Sequence, residues 1–236
     1  MAIRPFLAMT AAETGTFSPD IPICWMACHF SPYSLRLSNL PRSLPPGSLL
    51  MLDDITPIHG HDPDIICRQL EQCVSTHSCC GLLLDFQRPE NAETAALVEK
   101  LTRSLPFPVA VSDLYIDHSR GPVFLPPVPP SVSLSSYLAP WRDREIWLDL
   151  SLAGEVLTLT EQGSSITPHP FPNEEETVLF DSDLHSHYRI DIEEDSVCFT
   201  LRRSWEDLLE LLSEAETLGV TTAVGLYQEL HSVEEG

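Results

Sequence analysis

Short unbroken apolar runs, most of them ending in polar residues, recur along this chain. Phe6 to Thr10 and Ile23 to Phe30 come first. Ser48 to Leu52 leads into Asp53 and Asp54, Gly81 to Leu84 into Asp85, and Pro108 to Val111 into Ser112 and Asp113. Val123 to Leu125 runs into prolines and Glu145 to Leu148 into Asp149; Val197 to Leu201 and Thr222 to Leu226 complete the series. Each length suits a strand. A run without alternation is what a strand buried on both faces requires.

Helical periodicity falls between some of these runs. Asp62-Pro63-Asp64 opens a segment with Ile65, Ile66, Leu70 and Cys73, and Pro63 suits a first helical turn. Asn91 is a cap for the stretch to Arg103, with Ala95, Leu97, Val98 and Leu101 as its apolar face. Ser204 caps Trp205 to Leu218, where Leu208, Leu209, Leu211, Leu212 and Ala215 form a wide stripe, and Gly219 stops it. Two strand–helix–strand units follow, residues 48–84 and 197–226.

Alternating strands and helices predict a parallel sheet. Eight or nine strands with polar tips favour closure into an irregular TIM-type (β/α)8 barrel, with shortened or missing helices and hairpin insertions. A single α/β barrel domain over residues 1–236 fits the length. An open doubly wound sheet is the structural alternative. Asp117 to Gly121 is too short for a crossover helix, which predicts a loop hairpin at Val123 to Pro127 rather than a barrel strand. Leu150 to Thr160 reads as a hairpin turning at Ala153-Gly154, and Tyr188 to Leu201 as another turning near Glu194-Asp195. The 21 prolines, densest at Pro41 to Gly47 and Pro122 to Pro130, mark breaks between elements.

Composition narrows the partners. The chain is 43% hydrophobic and 20% charged, as in an ordered globular protein. Thirteen Lys and Arg oppose 35 Asp and Glu, a formal net charge of -22. Such a surface repels phosphate backbones and anionic membranes, so neither nucleic acid nor a membrane is an expected partner. A carbohydrate or another small neutral ligand remains open. No export signal or membrane-length apolar run is visible, so a cytoplasmic location is expected. Seven cysteines with no CxxC pair read as buried, reduced thiols.

In a barrel, residues just past each strand converge on one mouth. That mouth would collect Asp53, Asp54, Asp85, Gln87, Asp113, Tyr115, Asp149, Tyr227, Gln228 and Glu229, with Trp25 and Trp147 as candidate aromatic surfaces. Carboxylates accept hydrogen bonds from sugar hydroxyls, and rings cover the apolar faces of sugars. Two carboxylates at suitable separation are also the minimum for glycoside hydrolysis. Any one of these acids could equally do no more than cap a strand end in water.

Cys80 to Gln87 resembles the strand motif D-G-x-D-x-D-x-E of family-18 glycoside hydrolases, the chitinase group. Gly81 matches the glycine and Asp85 the last aspartate. Cys80 and Leu83 replace the first two aspartates, and Gln87 stands where the family has its catalytic glutamate. Gly219 to Glu229 resembles the family's last helix-to-strand passage, with Tyr227 near its aromatic floor. The resemblance implies a (β/α)8 barrel and a substrate-assisted mechanism, in which an N-acetyl group attacks the anomeric carbon. Asp85 would orient that group. Gln87 can hydrogen-bond a glycosidic oxygen but cannot protonate it as an acid. Losing general acid catalysis costs on the order of 100- to 10,000-fold. The implied protein binds N-acetylated sugar with impaired or no hydrolysis, through catalytic-position residues Asp85 and Gln87 and a cleft of Asp53, Asp113, Tyr115, Asp149, Tyr227 and Glu229. Alternatively, Asp113, Asp149 or Glu229 serves as the acid.

Two other classes compete. His59-Gly60-His61 and His185-Ser186-His187 are H-x-H pairs that could ligate a metal in a metal-dependent hydrolase, although surface histidines explain both equally simply. Asp183 to His187 also resembles the strand motif of the polymerase-and-histidinol-phosphatase family. The third class is a non-catalytic acidic interaction protein with a basic partner; Glu174-Glu175-Glu176 and Glu193-Glu194-Asp195 read as solvated turns. No G-x-S-x-G, P-loop or G-x-G-x-x-G occurs, and no cofactor is expected.

Overall fold

The structure, a computed structural model, describes residues 2–16, 22–169 and 179–230. In chain order its strands are β1 (Arg4–Met9), β2 (Cys24–Phe30), β3 (Leu37–Ser38), β4 (Leu49–Asp53), β5 (Gly81–Asp85), β6 (Val109–Ser112) and β7 (Val123–Leu125). There follow β8 (Ile146–Leu150), β9 (Gly154–Thr160), β10 (Gly163–His169), β11 (Leu179–Asp181), β12 (Ser186–Ile192), β13 (Ser196–Arg202) and β14 (Val220–Leu226). The helices are α1 (Ala11–Thr16), α2 (Pro63–His77), α3 (Ala92–Ser104), α4 (Leu134–Leu138), α5 (Trp205–Thr217) and α6 (Tyr227–Leu230).

Eight parallel strands, in the order β1-β2-β4-β5-β6-β7-β8-β14, close into a barrel because β1 pairs with both β14 and β2. Strand parity explains the closure. Phe6, Ala8, Leu49, Met51, Leu83, Ala110, Phe124, Trp147 and Val224 form one buried cluster that fills the interior. Their alternates, such as Leu50, Leu52, Leu82, Leu84 and Val111, pack outward with Ile66, Leu70, Leu97 and Leu101 of α2 and α3. The Trp147 ring fits because Gly81 lies opposite: a Cβ there would sit 3.0 Å from the Pro108 carbonyl oxygen and 3.2 Å from Trp147 Cη2.

The three long helices start as their sequences dictate. Asp62 caps α2 by accepting from the Asp64 amide, with Pro63 in the first turn. Asn91 caps α3 by accepting from Glu93 and Thr94. Ser204 and Asp207 make a reciprocal capping box on α5, and Gly219, just beyond it, adopts φ +95°. The remaining helices are short. After β2 the chain makes only the two-residue antiparallel strand β3, and after β6 a single 3-10 segment, Asp113–His118.

Three sequence expectations are corrected. Val123–Leu125 is a barrel strand, parallel to β6 and β8, and not a hairpin arm. The short return is possible because Gly121 has no Cβ, which would overlap the Val109 carbonyl oxygen. Leu150 to Thr160 is not a hairpin: β8 stays in the barrel to Leu150, and β9 pairs onward with β10. Val197 to Leu201 lies in no barrel strand. It belongs to a second, antiparallel sheet of order β10-β9-β13-β12-β11, inserted between β8 and α5, so residues 197–226 are not a strand–helix–strand unit of one sheet. The hairpin over Tyr188 to Leu201 is present, with the Glu193 amide donating to the Ser196 carbonyl at its turn. Glu174-Glu175-Glu176 lies outside the described residues.

The inserted sheet is fastened by charged and polar groups. Arg203, at its exit, donates to the carbonyls of Val128, Pro129, Leu184 and His185. His187 Nδ1 lies 2.8 Å from Asp207 Oδ2 and His185 Nε2 2.8 Å from Glu214 Oε2, both carboxylates on α5. Glu155 accepts from the Ser131 amide at 2.6 Å, and Ser186 donates to the Pro130 carbonyl at 2.9 Å.

Candidate functional site

The inward parity of each barrel strand carries through to its last residue. Leu49, Met51 and Asp53 follow one another on β4, Leu83 and Asp85 on β5, Ala110 and Ser112 on β6, and Trp147 and Asp149 on β8. Asp53 and Asp85 are register partners on adjacent strands. The carboxylates therefore meet at the C-terminal mouth.

Gln87 is exposed at that mouth and donates from Nε2 to Asp85 Oδ1 at 2.5 Å. Its loop is held from several sides. Asp54, nearly fully buried, accepts from the Gln87 amide at 2.9 Å and the Arg88 amide at 3.0 Å. Arg88 returns bonds to the carbonyls of Asp54 and Ile55. Ser112 donates to the Phe86 carbonyl and Tyr115 to the Arg88 carbonyl. Phe86 is buried edge-on against Tyr115. Such support fixes an amide–carboxylate pair before any ligand arrives.

A pocket of about 260 Å³ opens beside this pair, lined by Gln87, Ser112, Asp113, Phe124, Pro126, Pro127 and Asp149. Asp149 accepts from the Leu150 amide at 2.9 Å. Glu229 is drawn aside and accepts from Ser151 Oγ at 2.7 Å and from the Leu152 amide. A larger hollow of about 750 Å³ lies elsewhere, on the outer flank near Ile23, Trp25, Asn39 and Arg42, away from the converging carboxylates. The hollow has the larger volume, whereas the converging carboxylates and the Gln87 amide lie at the mouth.

The mouth is electrostatically unbalanced. Burial pushes Asp149 up to about 7; the Leu150 amide opposes the rise, and Asp85 and Glu229 add to it. Burial also raises Asp85, with Gln87 pulling it back and Asp54 adding to the rise. Asp53 is raised by burial, with the Ile55 amide and His29 opposing. These are carboxyls partly withdrawn from water with little cationic company, the arrangement that tightens a carboxyl's hold on its proton.

The sequence-derived residues do not all reach this surface. Tyr115 is 1% exposed and acts beneath the Gln87 loop. Trp147 is buried in the barrel interior, and Trp25 packs outward, its indole donating to the Asn39 carbonyl. Neither supplies a ring at the mouth. Tyr227 is half-buried against the outer core, and Gln228 is exposed on α6. Two contributors went unnoticed in the sequence. Ser112 was passed over as a strand end, and Tyr137 gave no signal. Tyr137 donates to the Pro126 carbonyl at 2.8 Å; burial pushes its hydroxyl up to about 12, with Asp113 and Asp149 adding to the rise.

The histidine pairs do not converge on a metal. His59 is exposed near Glu93, and its amide donates to His61 Nδ1, while the His61 ring packs edge-on against Phe30. His185 and His187 are taken up by α5 carboxylates, and His185 sits in a turn at φ +47° rather than on a strand. Among the described residues no group of three or more His, Cys, Asp or Glu is gathered for a metal. All seven cysteines are free, and burial pushes Cys73 up to about 11 and Cys79 up to about 12, which makes them inert as thiolates. No helix among the described residues is long and apolar enough to cross a membrane.

No family model and no curated protein matches the sequence. Solved structures do. A doubly substituted family-18 chitinase from Cycas revoluta, in complex with (GlcNAc)4, superposes with TM-score 0.58 at 11% identity over 94% of both chains. The fold is that of the family-18 chitinases. The chitinase-like agglutinin of Robinia pseudoacacia matches with TM-score 0.56 at 12% identity, over 95% of this chain and 94% of its own. The Bacillus megaterium spore cortex-lytic enzyme SleL matches with TM-score 0.56 at 10% identity, over 99% of this chain and 74% of its own. The likeness lies in the fold, which serves enzymes and an agglutinin alike.

Proposed function

We propose that the barrel mouth binds an N-acetylated sugar or glycan, with weak hydrolysis or none. The observation that carries the reading is the Asp85–Gln87 pair, fixed by Asp54, Ser112 and Tyr115 at the end of the fourth barrel strand. In this reading Asp85 holds the acetamido group, and Gln87 hydrogen-bonds the glycosidic oxygen from the place of the proton donor. Asp53, Asp113 and Asp149 accept hydroxyl bonds around the rim. Two neighbours support it. One substitution in the Cycas revoluta chitinase bound to (GlcNAc)4 replaces a glutamate by glutamine, so a barrel of this fold carrying that exchange holds the tetramer. The Robinia pseudoacacia protein is an agglutinin on the same scaffold.

Isothermal titration with (GlcNAc)4 tests this. Wild type should give saturable heat, and Gln87→Ala should weaken binding about tenfold, the loss of roughly 1.4 kcal/mol. Absence of heat with wild type, or an unchanged affinity in Gln87→Ala, would remove the proposal.

A further inference from the structure

Resting on that reading, we infer that Asp149 is the proton donor for whatever glycoside cleavage this mouth performs. Five other carboxylates belong to the mouth, and four of them do not line the pocket beside Gln87. Asp53 accepts from the Ile55 amide. Asp54 spends both oxygens on the Gln87 and Arg88 amides. Asp85 holds the Gln87 amide. Glu229 is bonded by Ser151 and Leu152. Asp113 lines the same pocket but opens the surface 3-10 segment, half-exposed.

Asp149 differs in its placement rather than in its number of bonds. It projects from the barrel strand itself into the pocket that Gln87 also lines. One oxygen, Oδ1, takes the Leu150 amide, and Oδ2 has no hydrogen-bond partner among the described residues. As a lining residue of the pocket, Asp149 meets the solvent that the pocket holds. No Lys or Arg pairs with it, while Asp85 and Glu229 both repel a charge there. A carboxyl so placed keeps its proton to about pH 7, where a general acid is most effective. Gln87 then orients the glycosidic oxygen without supplying a proton.

The step balances. The Asp149 proton passes to the glycosidic oxygen as the bond from that oxygen to the anomeric carbon breaks. The leaving sugar departs as a neutral alcohol. Water ends bonded to the anomeric carbon, and its released proton returns to the Asp149 carboxylate.

The test is prolonged incubation with (GlcNAc)4, with products separated by chromatography from pH 5 to pH 9, beside titration of the same variants. Wild type should cleave slowly below neutral pH, and the rate should fall tenfold per unit above about 7. Asp149→Asn should lose at least about 100-fold in rate, and with it the alkaline fall, while binding (GlcNAc)4 within about threefold of wild type. Asp149→Glu should restore part of the rate, and Asp195→Asn, which alters an exposed carboxylate in the turn between β12 and β13, should leave it unchanged. Cleavage that survives Asp149→Asn, or that vanishes instead in Asp113→Asn, overturns the assignment. Tetramer binding with no cleavage at any pH overturns it too, but leaves the binding function standing. Lack of tetramer binding by wild type marks the failure of the binding reading itself.

Discussion

Asp149 at the barrel mouth and Asp207 on α5 are the same side chain in opposite company. Asp207, almost fully buried, receives the His187 ring nitrogen and the Ser204 amide, and it completes the capping box that starts its helix. Asp149 receives one backbone amide and faces Asp85 and Glu229. A carboxylate whose burial is matched by donors stabilises the fold, whereas one buried beside its own kind weakens the fold and retains chemistry. The contrast separates the fastening of the inserted sheet from the candidate site.

The largest effect should come from the fastening. Arg203→Met leaves four carbonyls without their donor, and the variant should lose about 3–5 kcal/mol. Denaturant unfolding should show the loss, and hydrogen exchange should place the released amides in β9 to β13. A loss under about 1 kcal/mol would mean that the sheet is held some other way.

Next comes the pH dependence of the mouth. Asp149 has a folded value near 7 against an ordinary 3.8, so the folded state binds the extra proton between them. Its stabilising contribution is complete below about 3.8, declines as pH rises towards 7, and is gone above. Asp149→Asn should therefore match wild type near pH 4 and exceed it at pH 8 by on the order of 4 kcal/mol. Thermal melts at the two pH values check the sign, and a less stable variant at pH 8 would contradict it.

The same substitution at Asp207 should go the other way. Asp207→Asn weakens the His187 contact and the α5 cap, at a cost of about 1–2 kcal/mol at neutral pH, measurable by urea unfolding. Equal signs for the two Asp→Asn variants would erase the comparison. The smallest effect belongs to His59→Ala, whose side chain is 93% exposed; stability should stay within about 0.5 kcal/mol in the same assay.

Seven of the eight barrel strands were legible because burial on both faces leaves runs such as Leu49 to Leu52 and Leu82 to Leu84 unbroken; the three-residue β7 was misread as a hairpin arm because its crossover is so short. The inserted sheet was not legible. Val197 to Leu201 is as apolar as a barrel strand, yet it pairs antiparallel on both sides. β10 carries one large apolar residue, Ile166, and is exposed along most of its length, so it left no pattern to find. At the site, Asp53, Asp85 and Asp149 were readable because the tip of a parallel strand fixes where a side chain points. Facing was the unreadable part. The irregular register between Trp25 and Cys28 breaks the alternation in β2, and Tyr115 turns inward from a 3-10 segment with no periodicity to betray it.

In the proposed reading, sugar binds at the mouth, against the Asp85–Gln87 pair. Nitrogen-resolved NMR during titration with (GlcNAc)4 tests it most directly. The Gln87 side-chain amide and the backbone amides of Arg88 and Leu150 should shift together and saturate with one dissociation constant. Silence at these three, with shifts confined to the outer hollow at Trp25 or to the inserted sheet, would contradict it.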